Sequence, residues 1–310
     1  MAEQKRKKIK LELVENSGWD ERILVFRCAP VVDAFAVITE RYVVVVDTLI
    51  SPRMAEHMMG FLEHYLQEGR QLLVVNTHSD WDHTWGNQIF IGEQPVYPAP
   101  VLGLRESVRF FHTPEAEAYV QQMQEQNPDM FDGLVLTPPT VLFDERLNID
   151  GGDLSLELIA TPGHTIDHVS VFIPEIRTVL VGDAAETPYP VARQSKFMPR
   201  LRRSLNMLAA LEPAVALYCH APGVTTAEVI HDNIAYFDAL EHCCRQALEA
   251  GKLPDPLPEE IDLIAATGCH FEDIIAPRRN PSEMNEYYRT LGHNQQLRHM
   301  VQALRREKPD

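Results

Sequence analysis

Residues 76 to 87 read Asn-Thr-His-Ser-Asp-Trp-Asp-His-Thr-Trp-Gly-Asn. Four side chains in this stretch, His78, Asp80, Asp82 and His83, can bind a divalent metal through nitrogen or oxygen. His78, Asp80 and Asp82 alternate, so an extended turn projects them to one side. Asp82 and His83 are adjacent and diverge, which suits two neighbouring metals better than one. The box follows the apolar run Gln71–Thr77 directly. That places it at a strand's C-terminal end, where sites in α/β sheets gather. Three later apolar runs end in the same way. His164 stands in Thr-Pro-Gly-His-Thr, Asp183 in Gly-Asp-Ala, and His220 in Cys-His-Ala-Pro-Gly. One histidine beside a strand is ordinarily a surface or hydrogen-bonded core residue. Four such strand ends in one chain exceed what that reading explains.

The elements that must position these groups can be read from periodicity. Ile9–Val14, Ile23–Arg27, Ala34–Thr39 and Tyr42–Asp47 are β-branched runs bounded by turn chemistry, and Thr39–Arg41 reads as a hairpin turn. Pro52 to Gly69 is helical, with Met54, Met58, Phe61, Leu62 and Tyr65 near helical spacing. A second block, Leu104–Phe111 and Pro114–Gln126, reads as helices. Strands resume at Thr140–Phe143, Arg146–Ile149, Leu154–Ala160, His168–Ile173 and Thr178–Gly182. Arg200–Leu211 is expected to be a helix and Ala214–Tyr218 a strand. Thr225–Ala250 is a long helix with Val229, Ile230, Ile234, Phe237, Leu240 and Leu248 on one stripe. The tail is expected to be mostly helical, ending with Ser282–Arg306, and within it Tyr287–Leu304 reads as an amphipathic closing helix. Strand–helix–strand grammar in both halves fits two sheets between outer helices.

Four separated motifs, in this order and spacing, resemble the metallo-β-lactamase-fold hydrolase superfamily. They are Asp47 in VVVVDT, the His78–His83 box, His164 in TPGHT with Asp183 in VGDA, and His220; steps of 81, 19 and 37 residues separate His83, His164, Asp183 and His220. The likeness covers about residues 20 to 250. It implies an α/β fold, a four-layer αββα sandwich. One such domain would span 1–310, with a helical insertion at about 101–130 and a helical C-terminal region at about 252–310. It also implies a dinuclear centre. His78 and His164 would hold the first metal, Asp82, His83 and His220 the second, and Asp183 would bridge them. Asp47 would hold the box by hydrogen bonds from behind.

The chain departs from the family at one position. The usual box is H-x-H-x-D-H, and Asp80 replaces the second histidine. A carboxylate is a harder donor, which shifts preference from zinc toward iron or manganese. The flavodiiron branch of this fold places a glutamate there and binds two irons. Asp is one methylene shorter, so Asp80 reaches a metal only if the loop adjusts; otherwise the first site is weak or empty.

The resemblance implies a hydrolase whose metal-activated hydroxide attacks a small ester, lactone, phosphoester or related substrate. Asp82 and Asp183 would orient the nucleophile and take its proton. The competing readings are a non-haem iron redox enzyme served by a separate electron donor, and a non-catalytic metal-binding protein. Trp81, Tyr189 and His168 are the candidates for the substrate pocket. Trp85 is expected to pack the helix that follows. Cys219 is expected to be a core thiol that strand alternation turns away from the metals. The 101–130 block reads either as a cap over the pocket or as a homodimer surface.

Composition bounds the partners. The 310 residues carry 45 acids against 28 bases, a formal net charge of −17. That balance disfavours a nucleic-acid or anionic-membrane binder and leaves a small-molecule substrate as the expected partner. No apolar run has the length of a membrane span. The start has no signal-peptide pattern, and five cysteines without a C-x-x-C pair give no disulfide framework. A reducing cytoplasm is the expected setting. The basic run Lys5–Lys8 reads as a solvated terminus.

Overall fold

The computed structural model describes residues 9–307, and the Lys5–Lys8 run lies outside them. Contacts divide the chain into two compact units. The first takes in the described part of Met1–Ala160 together with Asp167–Gly182 and Val215–Thr225. The second holds Thr161–Ile166, Asp183–Ala214 and the described part of Thr226–Asp310.

The first unit contains both sheets. Strands β1 (Lys10–Leu13), β2 (Ile23–Ala29), β3 (Val32–Ile38), β4 (Tyr42–Val46), β5 (Gln71–Val75), β6 (Val101–Leu104) and β7 (Val141–Phe143) lie side by side in chain order. β1 to β4 form an antiparallel meander, and β4 to β7 are parallel. Val43 to Val46 are all fully buried, as a central strand covered on both faces requires. The second sheet runs β12 (Val215–Leu217), β11 (Thr178–Leu180), β10 (Val169–Ile173), β9 (Ser155–Ala160), β8 (Arg146–Asp150). It is antiparallel except for the β11–β12 pair. One apolar core joins the sheets, running from Phe35, Val37 and Val45 to Leu156, Leu158, Val169 and Val171.

Helix α1 (Pro52–Gln67) begins where Ser51 accepts from the Met54 amide and Pro52 supplies a preset φ. It buries Met54, Ala55, Met58, Met59 and Leu62. Two one-turn helices come next, α2 (Trp81–Thr84), which carries the end of the His box, and α3 (Gln88–Ile91). The expected helix at Leu104–Phe111 is a 3₁₀ helix, Arg105–His112, preceded by strand β6. α4 (Pro114–Gln126) and α5 (Pro128–Phe131) complete the helical block.

The second unit is helical. α6 (Met198–Ala210), α7 (Glu228–Glu249), α8 (Leu263–Thr267), α9 (Phe271–Ile274), α10 (Glu286–Arg289) and α11 (Leu291–Leu304) make it up. α7 packs on α6 and α11, burying Val229, Ile230, Asn233, Tyr236, Phe237, Leu240, Cys244 and Ala247. The expected closing helix is broken at Thr290, whose φ of −121° and ψ of −96° separate α10 from α11. No helix among the described residues is long and apolar enough to cross a membrane.

Candidate metal centre

The parallel pairing of β4 with β5 brings two chain ends together, because Val46 is in register with Val75. Asp47 leaves the first strand with φ 68°, a left-handed conformation that Asp tolerates better than most residues. Its carboxylate accepts the Thr77 amide at 2.7 Å on one oxygen and the Thr77 hydroxyl at 2.7 Å on the other. The second oxygen also meets Nδ1 of His83 at 2.8 Å, and both side chains are wholly buried. A carboxylate acceptor fixes the proton on Nδ1, so Nε2 of His83 carries the lone pair.

The same logic reaches His78. Thr77 Oγ1 spends its only hydrogen on Asp47 and lies 3.0 Å from His78 Nδ1. It can therefore only accept from that ring, so His78 also keeps its Nε2 lone pair. That nitrogen is 3.3 Å from Asp80 Oδ2. The shorter carboxylate thus reaches the Nε2 edge of His78.

The Asp80 carbonyl accepts the amides of His83 and Thr84, both at 3.1 Å, and starts α2. This turn sets the direction of Asp82 and His83. Ser79 is pinned from outside, its amide donating to Asp167 Oδ2 at 2.9 Å. His220, after β12, completes the group. Its Nε2 is 3.4 Å from Asp82 Oδ2, and His83 Nε2 is 3.8 Å from the same oxygen. Donor atoms of Asp82, His83 and His220 all lie within 4.8 Å of one another. Two imidazoles and a carboxylate at that spacing fit a divalent cation.

A shell of polar residues holds the box. Asn76 and Asn87 exchange hydrogen bonds through their amides, Thr48 donates to Asn87, and Asn87 donates to the Thr137 carbonyl. Gly86 is required here, because a Cβ would lie 2.1 Å from the Thr48 carbonyl oxygen and 2.6 Å from Ala55 Cβ.

The second unit carries its own group. His164 Nε2 is 3.8 Å from Asp183 Oδ2, and His164 Nδ1 is 3.5 Å from Glu186 Oε1. The TPGHT turn is tight, with the Gly163 amide donating to the Thr165 carbonyl at 2.8 Å. A Cβ on Gly163 would stand 2.4 Å from Leu201 Cα of α6. Glu186 escaped the sequence reading. It has no motif of its own, and only its place three residues after Asp183 could have drawn attention to it. Asp167 escaped for the same reason.

Several expectations change. Tyr189 is fully buried, stacked on Tyr236 at 4.4 Å, and donates its hydroxyl to the Tyr288 carbonyl. It packs within the helical unit instead of facing solvent. His168 is fully buried with its ring 5.1 Å from that of His78, and a Cβ on Gly182 would come within 2.6 Å of its Nε2. It backs His78 from the core side instead of facing substrate. Trp81 is half-buried and meets Trp85 and Tyr119 edge-on. Trp85 in turn packs on Tyr119 and Phe131, so both tryptophans fasten the box to α4 and α5. Cys219 is buried in the core as expected, but its sulfur lies within 4.8 Å of donor atoms of Asp47 and His83. The residue lies two positions beyond β12, in a bend, and strand alternation no longer governs its direction.

Beside His220 is a cavity of about 220 Å³ bounded by Arg27, Pro30, Val31, Asp33 and Cys219. Arg27 grips Asp33 with two hydrogen bonds of 2.9 and 2.7 Å. Burial pushes the Asp33 carboxyl up, and the Arg27 contact opposes it. Burial likewise pushes the Cys28 thiol up to about 12, with Asp82 and Asp33 adding to the effect. That thiol is neutral at physiological pH and is no nucleophile.

The profile of the metallo-beta-lactamase superfamily matches residues 30–220. The chain belongs to that superfamily. Its two sheets and eleven α-helices among the described residues make up the superfamily's mixed α/β fold. The chain is 27% identical over 157 residues to the hydroxyacylglutathione hydrolase of Hahella chejuensis, a match spanning 47% of this chain and 46% of that protein. It thus spans less than half the length of this curated relative. Among solved structures, a metallo-beta-lactamase from Pontibacter korlensis aligns with a TM-score of 0.55 at 16% identity, covering 74% of this chain and 99% of that one. The sec-alkylsulfatase Pisa1 from a Pseudomonas species aligns at 0.59 and 15% identity, covering 95% of this chain and 50% of that one. At these identities the structural likeness speaks to the superfamily fold.

Proposed function

We propose that the chain is a metal-dependent hydrolase of a small ester, thioester, lactone or phosphoester. The observation that carries this reading is the Asp82–His83–His220 group, with the His83 tautomer already set for metal by Asp47. The proposed ligands are His78, Asp80, Asp82, His83 and His220 in the first unit and His164 and Asp183 in the second, and the superfamily resemblance supports two divalent ions as their cofactor. Bound there, such ions acidify water and polarise the electrophilic centre of the substrate.

The protein's own groups do the rest. Asp47 and Thr77 keep the Nδ1 protons of His83 and His78 in place. Asp82, only slightly exposed, presents Oδ2 to accept and pass a proton. The cavity beside His220 receives the uncharged part of the substrate, because Arg27 is already neutralised by Asp33. The hydroxyacylglutathione hydrolase relative makes a thioester of a small hydroxy acid the first substrate to test.

Zinc is the expected ion. Asp80, 3.3 Å from His78 Nε2, favours iron or manganese as a second choice. That carboxylate is also the one observation that keeps an iron redox enzyme in view. The test is turnover of S-lactoylglutathione, a p-nitrophenyl ester, a lactone and a phosphodiester by protein loaded with zinc, manganese or iron. Hydrolysis of at least one substrate, abolished by chelation, is expected. Loaded protein inert toward all four would overturn the hydrolase reading.

A further inference from the structure

We propose that Glu186 is a positioning residue: its carboxylate takes the Nδ1 proton of His164 in a hydrogen bond and so commits His164 Nε2 to a metal. This rests on the metal centre proposed above. It adds a residue that neither the motif nor the family resemblance assigns.

One geometry occurs twice in the chain. In the first unit, His83 presents Nδ1 to a buried carboxylate, Asp47, and has Nε2 3.8 Å from the ligand carboxylate Asp82. In the second unit, His164 presents Nδ1 to a buried carboxylate, Glu186, and has Nε2 3.8 Å from the ligand carboxylate Asp183. The two imidazoles share this arrangement of a carboxylate at each ring nitrogen, although the Nδ1 contact is 2.8 Å for His83 and 3.5 Å for His164. A metal-binding histidine usually gives its other ring proton to such a partner, which sets the tautomer and makes the ligand more basic.

Glu186 is also built into its place. It is 5% exposed, and an ionised carboxylate at that depth is costly unless a donor meets it. Its backbone is clamped from both sides by Asn233, a fully buried residue of α7. The Glu186 amide donates to Asn233 Oδ1 at 3.0 Å, and Asn233 Nδ2 donates to the carbonyls of Glu186 and Pro188 at 2.9 and 3.0 Å. An asparagine spent wholly on this loop holds the carboxylate against His164. The 3.5 Å separation is long for a hydrogen bond. Charge on the far side of the ring strengthens Nδ1–H as a donor, and such contacts tighten when the site is filled.

The test is zinc affinity of metal-stripped protein, measured by competition with a chromophoric chelator, alongside the visible spectrum of the cobalt-substituted form. H164A should lose one tight equivalent. E186A should keep both equivalents but weaken one by about 10- to 100-fold, with a changed cobalt spectrum. E186Q should stay within severalfold of the parent, because its amide oxygen still accepts from Nδ1. If E186A does not fold, E186D serves: it keeps the charge but withdraws the oxygen by one methylene, and should weaken zinc in the same sense. A purely structural role would lower the thermal midpoint of the stripped variants without separating their zinc affinities, and that result overturns the proposal. So would parental zinc affinity in E186A, or loss of a whole equivalent in E186A and E186Q alike, which would make Glu186 a ligand. Failure of the parent to bind zinc, manganese or iron would instead overturn the metal centre itself.

Discussion

At the scale of single residues, the chemistry depends on which nitrogen of each imidazole carries a proton. Asp47 and Thr77 decide this for His83 and His78 through three hydrogen bonds of 2.7 to 2.8 Å and one contact of 3.0 Å. Asp80 is the one position of the proposed ligand set at which this chain departs from the family box, and its carboxylate lies 3.3 Å from His78 Nε2. Replacing Asp80 with histidine should tighten zinc binding by about tenfold or more, as a softer nitrogen donor replaces a carboxylate. Chelator competition measures it, and unchanged affinity would remove Asp80 from the ligand set. The ligand candidates themselves were legible because each lies at the end of an apolar run. Glu186 and Asp167 were not, because a supporting residue is defined by what folds against it: Asn233 lies 47 residues beyond Glu186, and Ser79 lies 88 residues before Asp167.

At the scale of elements, the strands with β-branched runs were readable because burial on one or both faces leaves a simple pattern. β6, Val101–Leu104, left none. It is four residues long, follows two prolines, contains Gly103 and is buried at every position. The helix expected over 287–304 has the right apolar spacing, but the backbone turns at Thr290, and spacing does not report a break. The direction of the tryptophans depends on Tyr119 of α4 and Phe131 of α5, more than thirty residues away along the chain. Trp85, Val120, Phe131 and Leu134 form a buried cluster, so the helical block is fastened to the His box by packing. Trp85→Ala should cost about 3–5 kcal/mol, read as a lower denaturant midpoint. It should also hasten proteolytic cleavage within residues 105–131. A loss below 1 kcal/mol would show that the cluster does not secure the block.

At the scale of the whole molecule, the acid response is carried in part by the helical unit. His293 is fully buried; its Nε2 meets the Cys269 carbonyl at 2.8 Å and its Nδ1 meets the Tyr236 hydroxyl at 2.7 Å. Burial holds its pKa below the usual 6.5, with the His270 charge adding and the Cys269 carbonyl and Glu272 opposing. His299, against the Ala192 carbonyl, is lowered by burial with help from Arg298. The unfolded chain therefore takes up these protons at a higher pH than the folded chain does. Their stabilisation is complete above about pH 6.5 and is lost as the pH falls toward the lowered folded values. The thermal midpoint should fall between pH 7.5 and 5.5, and His293→Asn should flatten that fall. An equally steep fall in the variant would assign the acid response to other groups.

The Thr77 hydroxyl described above bridges Asp47 and His78, and this has a consequence for how the sequence can change. One hydroxyl donates to a carboxylate and accepts from an imidazole, so positions 47, 77 and 78 form a unit of inheritance. A valine at 77 matches the shape of threonine but strands the proton of His78, and an asparagine at 47 leaves that hydroxyl with a weaker acceptor. Neither substitution is neutral alone, and their costs do not add. Drift at these positions must proceed by coordinated replacement, a constraint that the Thr77 hydroxyl does not extend to Asp80.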